Sequence, residues 1–253
     1  MHQTVNWVLL YKFKAGLPSE FVEMRVDDKT VTCCTGQAKT WGECQEFSFV
    51  DVERANTAFR QKLSEMEAAG FLLTREWHFK PASFDYDCLA NEIATSARKA
   101  LAAVREAHPN EKITAYAVTS DDSVMTLGAV ANSAEAFLAV NNDPDILWNA
   151  AEWLFYEGAE YFDIPYRMLL IRCRDELERE TIPFQEFHAG VVEACVRALE
   201  ELDKEGLFGA GQDRENSILL FQIIDSEYQD EAVKRLNTPD AYRRFREWWE
   251  AWN

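Results

Sequence analysis

Four short runs rich in β-branched and aromatic residues open the chain: VNWVLLYKF, EFVEMRV, KTVTCCT and CQEFSFV. They predict strands, with Asp27–Asp28 as a hairpin turn. The period then changes. In DVERANTAFRQKLSEMEAAG, residues Val52, Ala55, Phe59, Leu63 and Met66 recur at helical spacing, Asp51 stands at the N-cap position and Gly70 ends the run. FLLTREWHF, ending at Pro81, predicts a closing strand. Beyond the short PAS stretch, Pro81 to Ser83, a helical pattern runs from about Asp85 to Ala107 and stops at His108–Pro109–Asn110. KITAYAVTS and SVMTLGAV, separated by Asp121–Asp122, predict a second hairpin. A polar and aromatic stretch follows, NNDPDILWNAAEWLFYEGAEYFDIPY, then helical runs at about 165–180 and 184–205, a strand from Ser217 to Ile224 and two short helices at about 227–236 and 240–252. Strands and helices mixed in this order predict an α+β fold. The expected division is a small antiparallel sheet-plus-helix domain over residues 1–82 and a larger mixed α+β domain over 83–253, with Pro81–Ser83 as linker.

The turn KEGLFGAGQDREN holds Gly206, Gly209 and Gly211 in six positions and raises the question of a phosphate loop. Such loops lead from a strand into a helix, whose free N–H groups grip the phosphate. Here the helix comes first and the strand second. Gly206 therefore reads as the left-handed residue that stops the helix, and the other two bend the chain toward a sheet. Asp213, Arg214 and Glu215 read as an internal ion-pair cluster that fixes this turn. In FREWWEAWN, residues Phe245, Trp248, Trp249 and Trp252 share one helix face, which is expected to dock on the protein's own core; a partner or dimer surface is the alternative.

Charge changes the picture of the second domain. The formal net charge is −18 over 253 residues, and all but one unit of it falls after residue 82. Such a field repels nucleic acid and attracts basic surfaces; on charge alone, acidity that serves only solubility is an equal alternative. Neither a run of about 18 uninterrupted apolar residues nor a basic leader with a small-residue cleavage site is present, so a cytoplasmic protein is expected. The six cysteines, Cys33, Cys34, Cys44, Cys88, Cys173 and Cys195, contain no C-x-x-C pair and read as reduced thiols. His2, His78, His108 and His188 are scattered, which leaves a metal site without clustered ligands. No cofactor is expected.

Several rarer features recur in a fixed order: AHPNEK after the opening helix, TAYAVTSDDS, LWNAAEWLFYEGAEYFD, LDKEGLFGAGQDREN and a late RLNTP. In these, residues 84–250 resemble a bacterial family known only as domain of unknown function 4303. The resemblance implies that the glycine turn is a family hallmark with no ligand required. Residues 1–82 resemble a degenerate WGR domain, a small sheet-and-helix module found in some DNA-repair proteins. Thr35-Gly36-Gln37 stands where its Trp-Gly-Arg motif would be and Trp41-Gly42-Glu43 where a later Gly-Gln would be. The motif Trp and Arg are absent, so direct nucleic-acid binding is not expected to carry over.

Glu152, Glu157, Glu160 and Asp163 alternate with Trp148, Trp153, Tyr156 and Tyr161. Paired carboxylates beside aromatic rings suit glycoside hydrolysis or sugar binding, but aromatic residues at this density more often fill a core beneath a solvated acidic rim. The sequence therefore favours a non-catalytic immunity protein, antitoxin-like, that occludes a cognate bacterial toxin, with a nuclease of basic groove as the expected partner. Expected contacts are Asp143, Asp145, Glu152, Glu157, Glu160 and Asp163, with Trp148 and Trp153 as anchors. The alternatives are an accessory nucleic-acid-associated module that uses the WGR-like domain, and an enzyme acting on sugar or nucleotide.

Overall fold

The computed structural model describes residues 5–79, 84–174, 182–224, 226 and 229–252. The expected linker Pro81–Ser83 lies outside these residues, as do His2 and the side chains of His78, Cys173 and Trp252. The chain divides into two compact units. Met1–Asp85 with Arg172–Pro183 forms the first, and Tyr86–Ile171 with Phe184–Asn253 forms the second.

In the first unit, β1 (Val5–Lys14), β2 (Leu17–Asp27), β3 (Thr30–Gln37) and β4 (Glu43–Ser48) precede α1 (Val52–Ala68) and β5 (Leu72–Phe79). They form one antiparallel sheet in the order β4-β3-β2-β1-β5. Asp28 makes the β2–β3 turn with a left-handed φ of 48°. Asp51 caps α1 by accepting a hydrogen bond from the Arg54 backbone N–H at 2.8 Å, which satisfies one of the free donors of the first turn. The alternation of β1 and β2 delivers Val8, Leu10, Val22 and Met24 to one face of the sheet, where Ala55 and Phe59 of α1 cover them.

All-reduced cysteines are not what the structure contains. Register sets Cys34 of β3 directly opposite Cys44 of β4, and the two form a disulfide. Such pairing depends on register, which spacing in the sequence does not reveal. Cys33 and Cys195 are free and buried.

The second unit contains α2 (Tyr86–Ala107), the hairpin β6 (Ile113–Ser120) and β7 (Leu127–Ser133), α3 (Ala134–Ala139), α4 (Pro144–Leu147), α5 (Asp163–Arg174), α6 (Phe184–Lys204), α7 (Gln212–Glu215), β8 (Ile218–Ile223), α8 (Asp230–Leu236) and α9 (Pro239–Trp252). Its sheet runs β7-β6-β8, antiparallel in the first pair and parallel in the second. One face packs toward the paired helices α2 and α6, and the Tyr116 hydroxyl donates to the Ala97 carbonyl there at 3.0 Å. The other face, with Ala115, Ala117, Val130, Ile218 and Leu220, lies against Trp148, Trp153, Val233 and Phe245. The expected docking of the C-terminal aromatic face is observed: Phe245 is fully buried, and Trp248 and Trp249 pack beside it.

Candidate functional site

The stretch between β7 and α5 is built from caps rather than long elements. Ser133 accepts from the Ala136 N–H to start α3, Asp143 accepts from the Asp145 N–H to start α4, and Asn149 accepts from the Ala151 N–H. Short polar side chains at helix starts supply these bonds at little entropic cost. Gln222 of β8 accepts from the Ala150 N–H at 2.7 Å, which ties the stretch to the sheet.

This construction places Trp148 and Trp153 in the core, each 1% exposed. Trp148 meets Phe245 edge-on at 5.3 Å, and the Trp153 indole N–H donates to the Ile146 carbonyl at 3.0 Å. The expected anchors are therefore core residues with their polar atoms or faces satisfied from within. The exposed apolar side chains are their neighbours. Phe155 exchanges two backbone hydrogen bonds with Ala131 of β7, at 2.9 and 3.1 Å. A strand rung turns successive side chains to opposite sides, so Phe155 points inward while Leu154 and Tyr156 stand 62% and 54% exposed. Tyr156 belongs to the aromatic series visible in the sequence, whereas Leu154 does not, and one bridge leaves no strand-length alternation that would give the outward direction of either.

The six acidic candidates separate into distinct groups. Asp143 and Glu152 are exposed and Glu160 is half-buried; among the described residues none of the three forms an ion pair. Asp145 accepts from the Trp248 indole N–H at 2.8 Å. Glu157 lies 2.8 Å from His108, whose ring packs on Phe155 at 4.1 Å. Burial pushes the Glu157 carboxyl up, but its hydrogen bonds to His108 and to its own backbone N–H, together with the attraction of His108, outweigh that effect and hold it below its ordinary value. Asp163 is buried against Arg167, so it belongs to the interior and not to the rim.

A simple signal underlies this surface. From Ile113 to Tyr166, 54 residues contain nine Asp and Glu and neither Lys nor Arg. Elsewhere in the unit, several acids face arginines. Arg235 holds Glu193 and Glu200 through four hydrogen bonds of 2.6 to 3.0 Å, which keeps Glu200 below the usual carboxylate range. Arg98 pairs with Glu205 and Arg246 with Asp230. Acids without an ion pair among the described residues thus share this segment with Leu154 and Tyr156. Among the described residues, no group of three or more His, Cys, Asp or Glu is arranged to hold a metal ion.

The glycine turn and RLNTP are scaffold. Gly206 adopts φ 79° and the Leu207 N–H reaches back to the Leu202 carbonyl, a Schellman ending for α6. Arg214 bonds Asp203 at 2.5 Å, the Ser217 carbonyl at 3.2 Å and the Leu236 carbonyl at 2.7 Å, joining α6, β8 and α8. The Asn237 amide accepts from the Leu219 N–H at 3.0 Å and donates to the Leu219 and Val233 carbonyls at 2.7 and 2.9 Å. Replacing Asn237 by Leu should cost about 3 kcal/mol, since it strips partners from a buried N–H and two carbonyls; urea unfolding monitored by circular dichroism measures the loss.

A family model described as "Domain of unknown function (DUF4303)" matches residues 93–238. The chain belongs to the DUF4303 family. In this DUF4303 protein the match begins within α2, ends just past Asn237 and includes every acidic candidate named above. No curated protein matches the chain. A crystal structure of a Bacteroides fragilis protein from a structural genomics consortium is 19% identical, over 27% of this chain and 19% of that one, with a TM-score of 0.26. The chain thus aligns with about a fifth of that protein's length. No described helix is long and apolar enough to cross a membrane.

Proposed function

We propose that this DUF4303 protein is a non-catalytic, cytoplasmic immunity protein whose second unit binds a basic bacterial toxin, of nuclease type, and occludes its substrate groove. The observation that carries the reading is the 54-residue stretch without Lys or Arg, which holds Asp143, Glu152 and Glu160, none of them in an ion pair among the described residues, together with exposed Leu154 and Tyr156. Carboxylates without internal cations are available to external ones, and their field speeds encounter with a cationic surface. The apolar pair supplies what charge alone does not, a desolvated anchor of the kind that dominates binding energy.

The test is a toxin that kills when expressed alone and is harmless beside this protein. Against it, the triple variant Asp143→Lys/Glu152→Lys/Glu160→Lys should associate about tenfold more slowly, with the deficit widest at low salt. Tyr156→Ala should instead speed dissociation, at a cost of about 2 kcal/mol. Surface plasmon resonance at several salt concentrations separates the two effects. Association by the triple variant at the parent rate would remove the electrostatic reading.

A further inference from the structure

We propose that Cys34 and Cys44 form a redox-operated latch on β4 that controls the exposure of Cys33, which lines a pocket already open to solvent. This inference is independent of the partner-binding reading, since it concerns the first unit alone. Besides the disulfide, β4 is held by its antiparallel ladder to β3, from the Thr30–Ser48 pair to the Thr35–Glu43 pair, with none of its own residues buried. All six residues of the strand are exposed, and it stands at the sheet edge with β3 as its neighbour. Exposed edge strands with few buried contacts open at low free energy. The disulfide from Cys34, 2% exposed, to the exposed Cys44 ties that strand covalently to the core of the sheet.

Beside β4, and open to solvent, lies a pocket of about 260 Å³. Phe47 of β4 and Phe49 just beyond it form one wall, Val31 and Cys33 of β3 form the floor, and Ala58 and Lys62 of α1 form the far side. Cys33 is 6% exposed, and burial pushes its thiol up, so it stays protonated and slow to react while the wall is in place. Release of β4 moves the Phe47 wall and brings solvent to the Cys33 sulfur.

The chemistry is thiol–disulfide exchange with an external thiol or dithiol. Its thiolate attacks the exposed Cys44 sulfur, forms a mixed disulfide and expels Cys34, which takes up a proton. A second external thiolate then attacks the external sulfur of that mixed disulfide and releases Cys44, also protonated. Two electrons pass to the protein, and the external thiols leave as their own disulfide. Cys33 does not resolve the intermediate, because adjacent residues of β3 face opposite sides of the sheet. In reducing compartments protein disulfides are mostly transient or redox-sensing, which suits a latch better than a permanent staple.

The test uses the full chain, with iodoacetamide as probe and peptide mass spectrometry to read each cysteine. Air-oxidised protein should leave Cys34 and Cys44 unmodified. After reduction with a phosphine, alkylation of Cys33 should accelerate at least about tenfold, while buried Cys195 stays unmodified. Unreduced Cys34→Ser/Cys44→Ser should reproduce the faster Cys33 reaction; if that variant does not fold, the reduced parent decides alone. Three results would each overturn the latch: alkylation of Cys34 and Cys44 without reductant, a Cys33 rate unchanged by reduction, or a rise at Cys195 alongside Cys33, which signals global opening.

Discussion

Replacing Arg167 by Met is expected to destabilise the second unit by about 3–5 kcal/mol, because it leaves a buried carboxylate without its cation. The Arg167 and Asp163 side chains are 0% and 2% exposed, and the Arg167 Nε lies 3.2 Å from Asp163 Oδ2, one turn earlier in α5. Attraction in such surroundings offsets two desolvation penalties at once, so removing one member exposes the penalty of the other. Taking both away is a different matter. Asp163→Leu/Arg167→Met removes both charges of this pair, and its loss should be smaller than the sum of the two single losses. Tryptophan fluorescence during chemical unfolding reports on Trp148 and Trp153, which lie in the same unit. Additive losses, or an Arg167→Met protein as stable as the parent, would show that the pair does not hold the interior in this way.

Gly158→Ala is the second large effect, expected at about 3 kcal/mol or more from two independent sources. Gly158 has φ 86°, which disfavours any side chain, and an added Cβ would stand 2.5 Å from Ala100 Cα and 2.8 Å from Ala100 Cβ. Those are atoms of α2 that cannot swing aside; the helix itself would have to retreat. Gly70 supplies the comparison, because its φ is 90° yet nothing lies within 4 Å of an added Cβ. Gly70→Ala should cost only the backbone term, about 1 kcal/mol. Thermal unfolding of the two variants distinguishes close packing from backbone conformation, and equal shifts would assign the whole effect to φ.

Gly158 also shows how far sequence reading reaches. Its place in YEGAEYFD was visible as pattern, but its reason, contact with Ala100 more than fifty residues earlier, belongs to packing. Local signals served well elsewhere. The Asp51 cap, the Asp28 turn, the Gly206 stop and the apolar face of α9 are all encoded within a few residues of where they act, and each is observed. Long-range relations were not legible. Pairing of β8 parallel to β6, the bond between Cys34 and Cys44, and the burial of Trp148 and Trp153 each depend on which distant segment arrives opposite. The surface was half visible. Asp143, Glu152 and Glu160 were identifiable by composition, whereas Leu154 and Tyr156 acquire their outward direction from a single rung with Ala131.

The Asn237 amide has a consequence for aggregation. It fills both the donor and the acceptor of Leu219 on β8, the positions a strand from another molecule would use, while Phe155 does the same for Ala131 on β7. The three-stranded sheet is therefore blunted on both margins by its own chain. The five-stranded sheet has no such guard described along β4, and β5 carries Leu72 and Leu73 outward. An edge strand without such a guard templates intermolecular strand growth. Clumping under stress should therefore begin in the first unit, and losing the Asn237 side chain would open a second place for it to start.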